Sequence, residues 1–388
     1  MVSSGVWFHM IVKSFLKWSE TAKTGDRCKA ASALARAYAL GHMDQSERQA
    51  AEAALAMLLE DPSPKVRLAL AEGLAMIEHA PRGIVLGLAN DQIEVAGRVI
   101  ALSPVLADND LIEIVASGRP ALQQFVAFRR PLSVSVAAAL AEVGEAGAVA
   151  DMLDNIHVAI ARISLRRIAE RFGDDPEIRA RLFERSDLPC DVRQALVERL
   201  GAALAGSDFV RSAIGGSRGR KVTEEACMNA TLRMAETVYA DEIPALVEHL
   251  RMSGRLTPAF LIHALCAGNV DFFASAVVSL SGMSDSRVRG ILVDGRETAM
   301  RALYRAIGLS GDLAPVFVTA TLIWRAASRS QASIDTGRVT NELIQRHARD
   351  AERQPSVGEL LRLVETLHFN WQRQASRDYA HALAAEAA

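Results

Sequence analysis

Lysine is nearly missing from this chain, with 6 residues in 388 against 38 arginines. Aromatic residues make up only 5%. No apolar run approaches the roughly 20 residues that a membrane-spanning helix needs, which argues against an integral membrane protein. Cysteine is scarce too. Cys28, Cys190, Cys227 and Cys266 form no CxxC pair, and a chain of this length does not need disulfide staples. Four reduced thiols in a cytoplasm are expected. Excess charge is also lacking, since 44 basic and 46 acidic side chains leave a net of −2. A protein that holds nucleic acid chiefly through phosphates carries a clear basic excess, so here only a local patch would serve. The first ten residues have no basic segment, and Gly5, His9 and Lys13 break their apolar run, which excludes a signal peptide. Met10 is a second candidate start, and residues 1–9 read as a loose arm.

What is present points to helices. Alanine, the best helix former, occurs 66 times, with leucine and arginine abundant beside it. Half of the residues are hydrophobic and 23% are charged, enough apolar content to exclude a disordered chain. Apolar residues recur at helical spacing almost throughout, in segments of roughly 10–16 residues closed by Gly, Pro, Asp or Ser. Asp44 or Ser46 starts one such helix, with Ala50, Ala54, Leu55, Leu58 and Leu59 on its inner side.

A repeat is superimposed on this periodicity. Residues Asp61 to Leu70 read D-x4-V-R-x-A-L, and the string recurs at Asp187 to Leu196, 126 residues later. Weaker copies run from Asp175 to Arg179 and from Asp285 to Arg289. A further L-x-x-D links Leu58 to Asp61 and Leu88 to Asp91. In the first strong copy, Asp61 and Pro64 make the turn and open a helix, Val66 faces the shared core, and Arg67 reaches the aspartate of a neighbouring turn. Asp187, Pro189, Val192 and Arg193 take the same parts in the second. The interval holds about four helical hairpins of roughly 30 residues. The fold expected is all-α, a HEAT-like α-solenoid of stacked hairpins, in two arcs.

Val66-Arg67-Leu68-Ala69-Leu70-Ala71 and Ala101 to Leu106 resemble a bacterial family known as domain of unknown function 2336. Gly254 to Pro258, Val270 to Phe273, Leu280-Ser281-Gly282 and Arg287-Val288 add to the resemblance, which covers about residue 10 to about residue 330. It implies HEAT-like helical repeats and brings no catalytic motif.

Composition suggests boundaries. Gly201 through Lys221 holds five glycines with serines between them and reads as a hinge. The expected organisation is an arm at 1–9, repeats at 10–203, a Gly/Ser/Arg linker at 204–221, repeats at 222–330 and capping helices at 331–388. Within the linker Arg218, Arg220 and Lys221 are the candidate contacts for a ligand or partner. The segment does not match G-x-x-x-x-G-K-[ST], and a solvated loop is the plainer reading.

Other candidate chemistry is thin. The nine histidines contain no H-E-x-x-H, and His249 and His263 fall on separate helices, so no metal site is expected. Asp174-Asp175 and Glu224-Glu225 sit at helix starts, where they complement the dipole. Phe272, Phe273 and Trp324 read as core. With no G-x-S-x-G and no cysteine in a nucleophile setting, neither enzyme activity nor a cofactor is expected. The function expected is that of a protein-interaction scaffold with a protein partner. The alternative is a nucleic-acid-binding helical repeat, of a kind that can act on DNA bases, that uses the Gly/Arg patch.

Overall fold

A computed structural model describes residues 14, 17, 18, 21–41, 43–330 and 335–386. The arm read at 1–9, and residues 331–334 of the polar stretch before the last helices, lie outside the described residues. Among the described residues there are 22 helices and no strand beyond one isolated bridge between Leu132 and Val158, so the fold is all-α. The chain divides into two compact units, Met1–Leu188 and Pro189–Ala388.

The first unit contains α1 (Thr24–Ala39), α2 (Gln45–Leu59), α3 (Pro64–Leu74), α4 (Arg82–Ala89), α5 (Ile93–Leu102), α6 (Asp108–Ala116), α7 (Pro120–Ala127), α8 (Val134–Val143), α9 (Ala146–Asp154), α10 (Arg162–Phe172) and α11 (Pro176–Glu184). Their starts follow local chemistry. Asp44 accepts from the Glu47 N–H while Glu47 reaches back to the Asp44 N–H, so α2 opens with a reciprocal cap. Proline at the first position opens α3, α7 and α11 without losing a helical hydrogen bond. Each odd-numbered helix packs on the next odd one, from α1 to α11. In the second row α2 packs on α4, α6 on α8 and α8 on α10. A lone hairpin could not bury both of its apolar faces, and here the neighbouring hairpin covers them. Ala35, Val66, Leu70, Val99, Val126, Leu140 and Val149 are thereby removed from solvent.

The second unit contains α12 (Cys190–Gly206), α13 (Asp208–Ile214), α14 (Gly216–Thr237), α15 (Ile243–Met252), α16 (Pro258–Cys266), α17 (Val270–Ser281), α18 (Asp285–Asp294), α19 (Glu297–Ala306), α20 (Ala314–Ser330), α21 (Thr336–Arg353) and α22 (Pro355–Glu386). Its core gathers much of the scarce aromatic content. Phe273 stacks on Phe317 at 6.2 Å and meets Tyr304 edge-on at 6.1 Å, and Phe260 meets Phe272 at 5.8 Å. Trp324 is half-buried and donates its indole N–H to the Leu265 carbonyl at 2.7 Å. Val339, Leu343, Val357, Leu360 and Val364 of the last two helices belong to the same core.

The glycine-rich segment is largely helical. α12 runs on to Gly206, α13 follows after an extended Ser207, and Gly215, at φ 81°, makes a second break before α14. The physical reason lies in packing. Gly201 is buried against the Cys227 thiol of α14, where a Cβ would collide with sulfur. Gly219 leaves room for Val210. These glycines let helices approach closely, which composition alone cannot separate from flexibility. The division between the two units falls at Leu188/Pro189, ahead of α12.

Candidate functional site

In the first unit, arginine joins one hairpin to the next. Arg27 forks onto the Asp61 carboxylate at 2.7 and 3.1 Å, and Asp61 also accepts from the Ser63 N–H. Arg67 forks onto Asp91 at 2.6 and 2.9 Å and donates to the Asp61 carbonyl. Burial pushes the Asp61 carboxyl up, but the Arg27 bond, the Ser63 N–H and the two guanidinium charges hold it below the usual value. Asp91 is held down in the same way by Arg67. Val66 is fully buried between these rungs. In the second motif copy Val192 is buried, while Asp187 is held by Arg185, two residues before it. Pro64 starts α3, whereas Pro189 lies just ahead of α12.

Arginine also clamps backbone carbonyls at helix ends. Arg129 donates to the Ile100 and Ser103 carbonyls at the end of α5. Arg171 reaches the Ala141 and Gly144 carbonyls at the end of α8. Buried Asn155 donates to the carbonyls of Ala127 and Arg129. The Arg82 guanidinium bonds Asp110 and the Val105 carbonyl. The Arg82, Arg129 and Asn155 bonds tie together four successive turns, those leading from α3, α5, α7 and α9 into the even-numbered helices. At or beside each turn a large apolar side chain is exposed: Met76 (76% exposed), Leu102 at the end of α5, Phe128, and Ile156 (86%) with Ile163 (73%) at the start of α10. A row of this kind, held by a fixed backbone, is unusual for a surface that only faces water.

In the second unit a cleft of about 320 Å³ opens between α14, α16 and α22. Lys221, Glu225 and Asn229 come from α14, His263 from α16, and Glu359, Arg362, Thr366 and Asn370 from α22. Met228, Leu363 and Leu367 add apolar surface. His263 is nine-tenths buried, and its Nδ1 is shielded from solvent without a hydrogen-bond partner. Burial lowers its pKa from 6.5 to about 4, so the ring is neutral at pH 7. The unfolded chain takes up this proton below pH 6.5 while the folded chain resists it. The His263 contribution to stability is therefore present above that pH and is lost as pH falls toward 4, by at most about 3 kcal/mol. His263→Leu is expected to flatten this part of a denaturation-versus-pH profile. An unchanged profile would mean that the ring is not buried as described.

A second cavity in this unit, about 270 Å³, is walled by Leu265, Phe273, Leu292 and Trp324. The polar groups at its wall are already satisfied. Trp324 bonds a carbonyl, Thr321 pairs with the Tyr304 hydroxyl, and Arg325 bonds three carbonyls. It therefore offers little to a polar ligand.

Of the three sequence-singled cations, Arg218, Arg220 and Lys221 are all exposed on the first turns of α14, and only Lys221 lines the cleft. Of the cleft's other groups, Glu225 and His263 were read only as a helix-start acid and as no metal ligand, and Asn229, Glu359, Arg362, Thr366 and Asn370 went unnoticed in the sequence. Their signal is a polar stripe at i, i+4 on α14 and at i, i+3, i+7 on α22, and a stripe does not reveal what it faces. Cys190, Cys227 and Cys266 are buried, and burial pushes the Cys190 and Cys266 thiols up to about 12. No cluster of three or more metal-ligating side chains occurs among the described residues. No helix among them is long and apolar enough to cross a membrane.

Geometry thus defines a class: an all-helical protein whose hairpins, in its first unit, stack through arginine rungs. The model of a family described as "Uncharacterised protein conserved in bacteria (DUF2336)" matches residues 95–356, about two thirds of the chain, and the protein belongs to this family. The match takes in the cleft's α14 and α16 and leaves out the first strong motif copy at Asp61 to Leu70. No curated protein and no solved structure matches the chain.

Proposed function

We propose that this chain is a non-enzymatic protein-interaction module, a scaffold in the bacterial cytoplasm, and that it holds its partner along the turn edge of the first unit. The observation that carries the reading is the row of Met76, Leu102, Phe128 and Ile156 on four successive turns that are bonded to one another. The row-by-row packing of that unit supports a HEAT-like solenoid there. Stacked helices lie about 8–10 Å apart, so the apolar side chains recur at about that interval. An α-helix advances 1.5 Å per residue and covers the same interval in about five to seven residues. The fitting partner is an amphipathic helix with apolar residues at roughly heptad spacing.

The test is affinity purification of the tagged chain from its native host after mild crosslinking, set beside a Phe128→Asp/Ile156→Asp variant. Both side chains are exposed, so the variant is expected to melt like the parent and to lose the partner by at least about tenfold. Undiminished recovery of the partner would overturn the proposed surface, and the absence of any partner would overturn the scaffold reading.

A second reading is nucleic-acid binding by Arg218, Arg220 and Lys221. It is supported by their exposure at the positive end of α14. Phosphate contacts are strongest at low salt, so failure to bind nucleic acid on a filter at about 50 mM salt removes it.

A further inference from the structure

The cleft of the second unit carries an inference independent of the partner surface on the first. Its lining is formally neutral, with Lys221 and Arg362 against Glu225 and Glu359. Elsewhere in the unit opposite charges on one helix close on each other, as Arg251 does on Glu248 at 2.7 Å and Arg346 on Glu342 at 2.9 Å. Among the described residues, Lys221, Glu225 and Glu359 make no such pair. Arg362 spends one N–H on the Gly358 carbonyl of its own helix, at 3.3 Å. His263 adds a nine-tenths-buried ring whose Nδ1 has no hydrogen-bond partner. A buried polar group left unpaired is costly, which marks this wall of the cleft as unfinished by the protein's own side chains.

We propose that this cleft binds a free α-amino acid with an apolar side chain. Glu225 and Glu359 offer carboxylates to its ammonium group, and Arg362 and Lys221 offer donors to its carboxylate. Met228, Leu363 and Leu367 cover the side chain, the Asn229 and Asn370 amides supply further hydrogen bonds, and the Thr366 hydroxyl, whose hydrogen goes to the Arg362 carbonyl, can accept one. Two observations decide against larger or more charged ligands. The volume of about 320 Å³ lies at the small end of ligand pockets and is too little for a dinucleotide. A mononucleotide would bring its dianionic phosphate beside two carboxylates, whereas a zwitterion matches a lining that carries both signs and sums to zero.

The experiment is titration calorimetry of the full chain at neutral pH with L-leucine and L-phenylalanine. Isoamylamine and 4-methylpentanoate, each lacking one charged group of leucine, and adenosine monophosphate serve as counter-probes. Saturable binding of an amino acid is expected, weakened about tenfold or more in each leucine analogue. Glu225→Ala and Arg362→Ala alter exposed side chains, so each is expected to keep the melting temperature of the free protein and to weaken binding about tenfold. The proposal is overturned if neither amino acid binds up to about 10 mM, or if the analogues bind as well as leucine. Binding of the nucleotide in place of the amino acids, or amino-acid binding untouched by both substitutions, overturns it equally.

Discussion

Val66→Asp is expected to cost the first unit about 4 kcal/mol. Two effects oppose each other at this position. Val66 is the third residue of α3, where an aspartate ordinarily gains about 0.3–1 kcal/mol from the helix dipole. Yet Val66 is fully buried, and the nearest aspartates, Asp61 and Asp91, already occupy the guanidinium forks of Arg27 and Arg67. The new carboxylate would be buried with no free cation to pair with, and that cost is several-fold larger than the dipole gain. Lys65→Asp, one residue earlier and exposed, keeps the dipole gain without the burial and is expected to be neutral or slightly stabilising. Denaturant unfolding followed by far-ultraviolet circular dichroism separates the two. Equal midpoints for Val66→Asp and the parent would show that the first motif copy does not face the core.

Arg325→Leu is expected to destabilise the second unit by roughly 3 kcal/mol. Arg325 lies on α20 and donates to the carbonyls of Ile291, Leu292 and Gly295 at 2.7 to 3.2 Å, at the end of α18. The last carbonyls of a helix have no partner within it, and a cation placed there also meets the negative end of the dipole. Leucine fills similar space and takes this donor away from the Leu292 and Gly295 carbonyls, while the Ile291 carbonyl keeps the Gly295 N–H. Arg325→Lys retains the charge but lacks the planar fork, so it is expected to recover less than half of the loss. Arg329 is the internal control. It pairs with Asp294 at 3.3 Å, both side chains are largely exposed, and Arg329→Leu is expected to cost under about 1 kcal/mol. If the Arg325 and Arg329 variants melt alike, the carbonyl clamp contributes nothing beyond a surface ion pair.

These clamps account for a feature of the composition. Arg129, Arg171 and Arg325 each bond two or more carbonyls at a helix end, and Arg27 and Arg67 each grip a carboxylate with two donors. An ammonium group has no planar fork with which to do either. The excess of arginine over lysine thus reflects joints between helices as well as surface charge.

Legible in the residues alone were the helical class, a capped helix start at Asp44 or Ser46, the core position of Val66, Phe272 and Phe273, and the Asp/Arg motif. Each is local, because periodicity, caps and turn residues act within a few residues of one another. Tertiary structure alone decided which aspartate Arg67 would meet, since Asp91 stands 24 residues away across a packed pair of helices. It also decided that Gly201 and Gly219 serve close packing, which depends on Cys227 and Val210 lying opposite them. The exposed row from Met76 to Ile156 and the cleft around His263 arise in the same way. Their residues come from distant parts of the chain, and only the packing of one helix on another brings them to a common edge or a common wall.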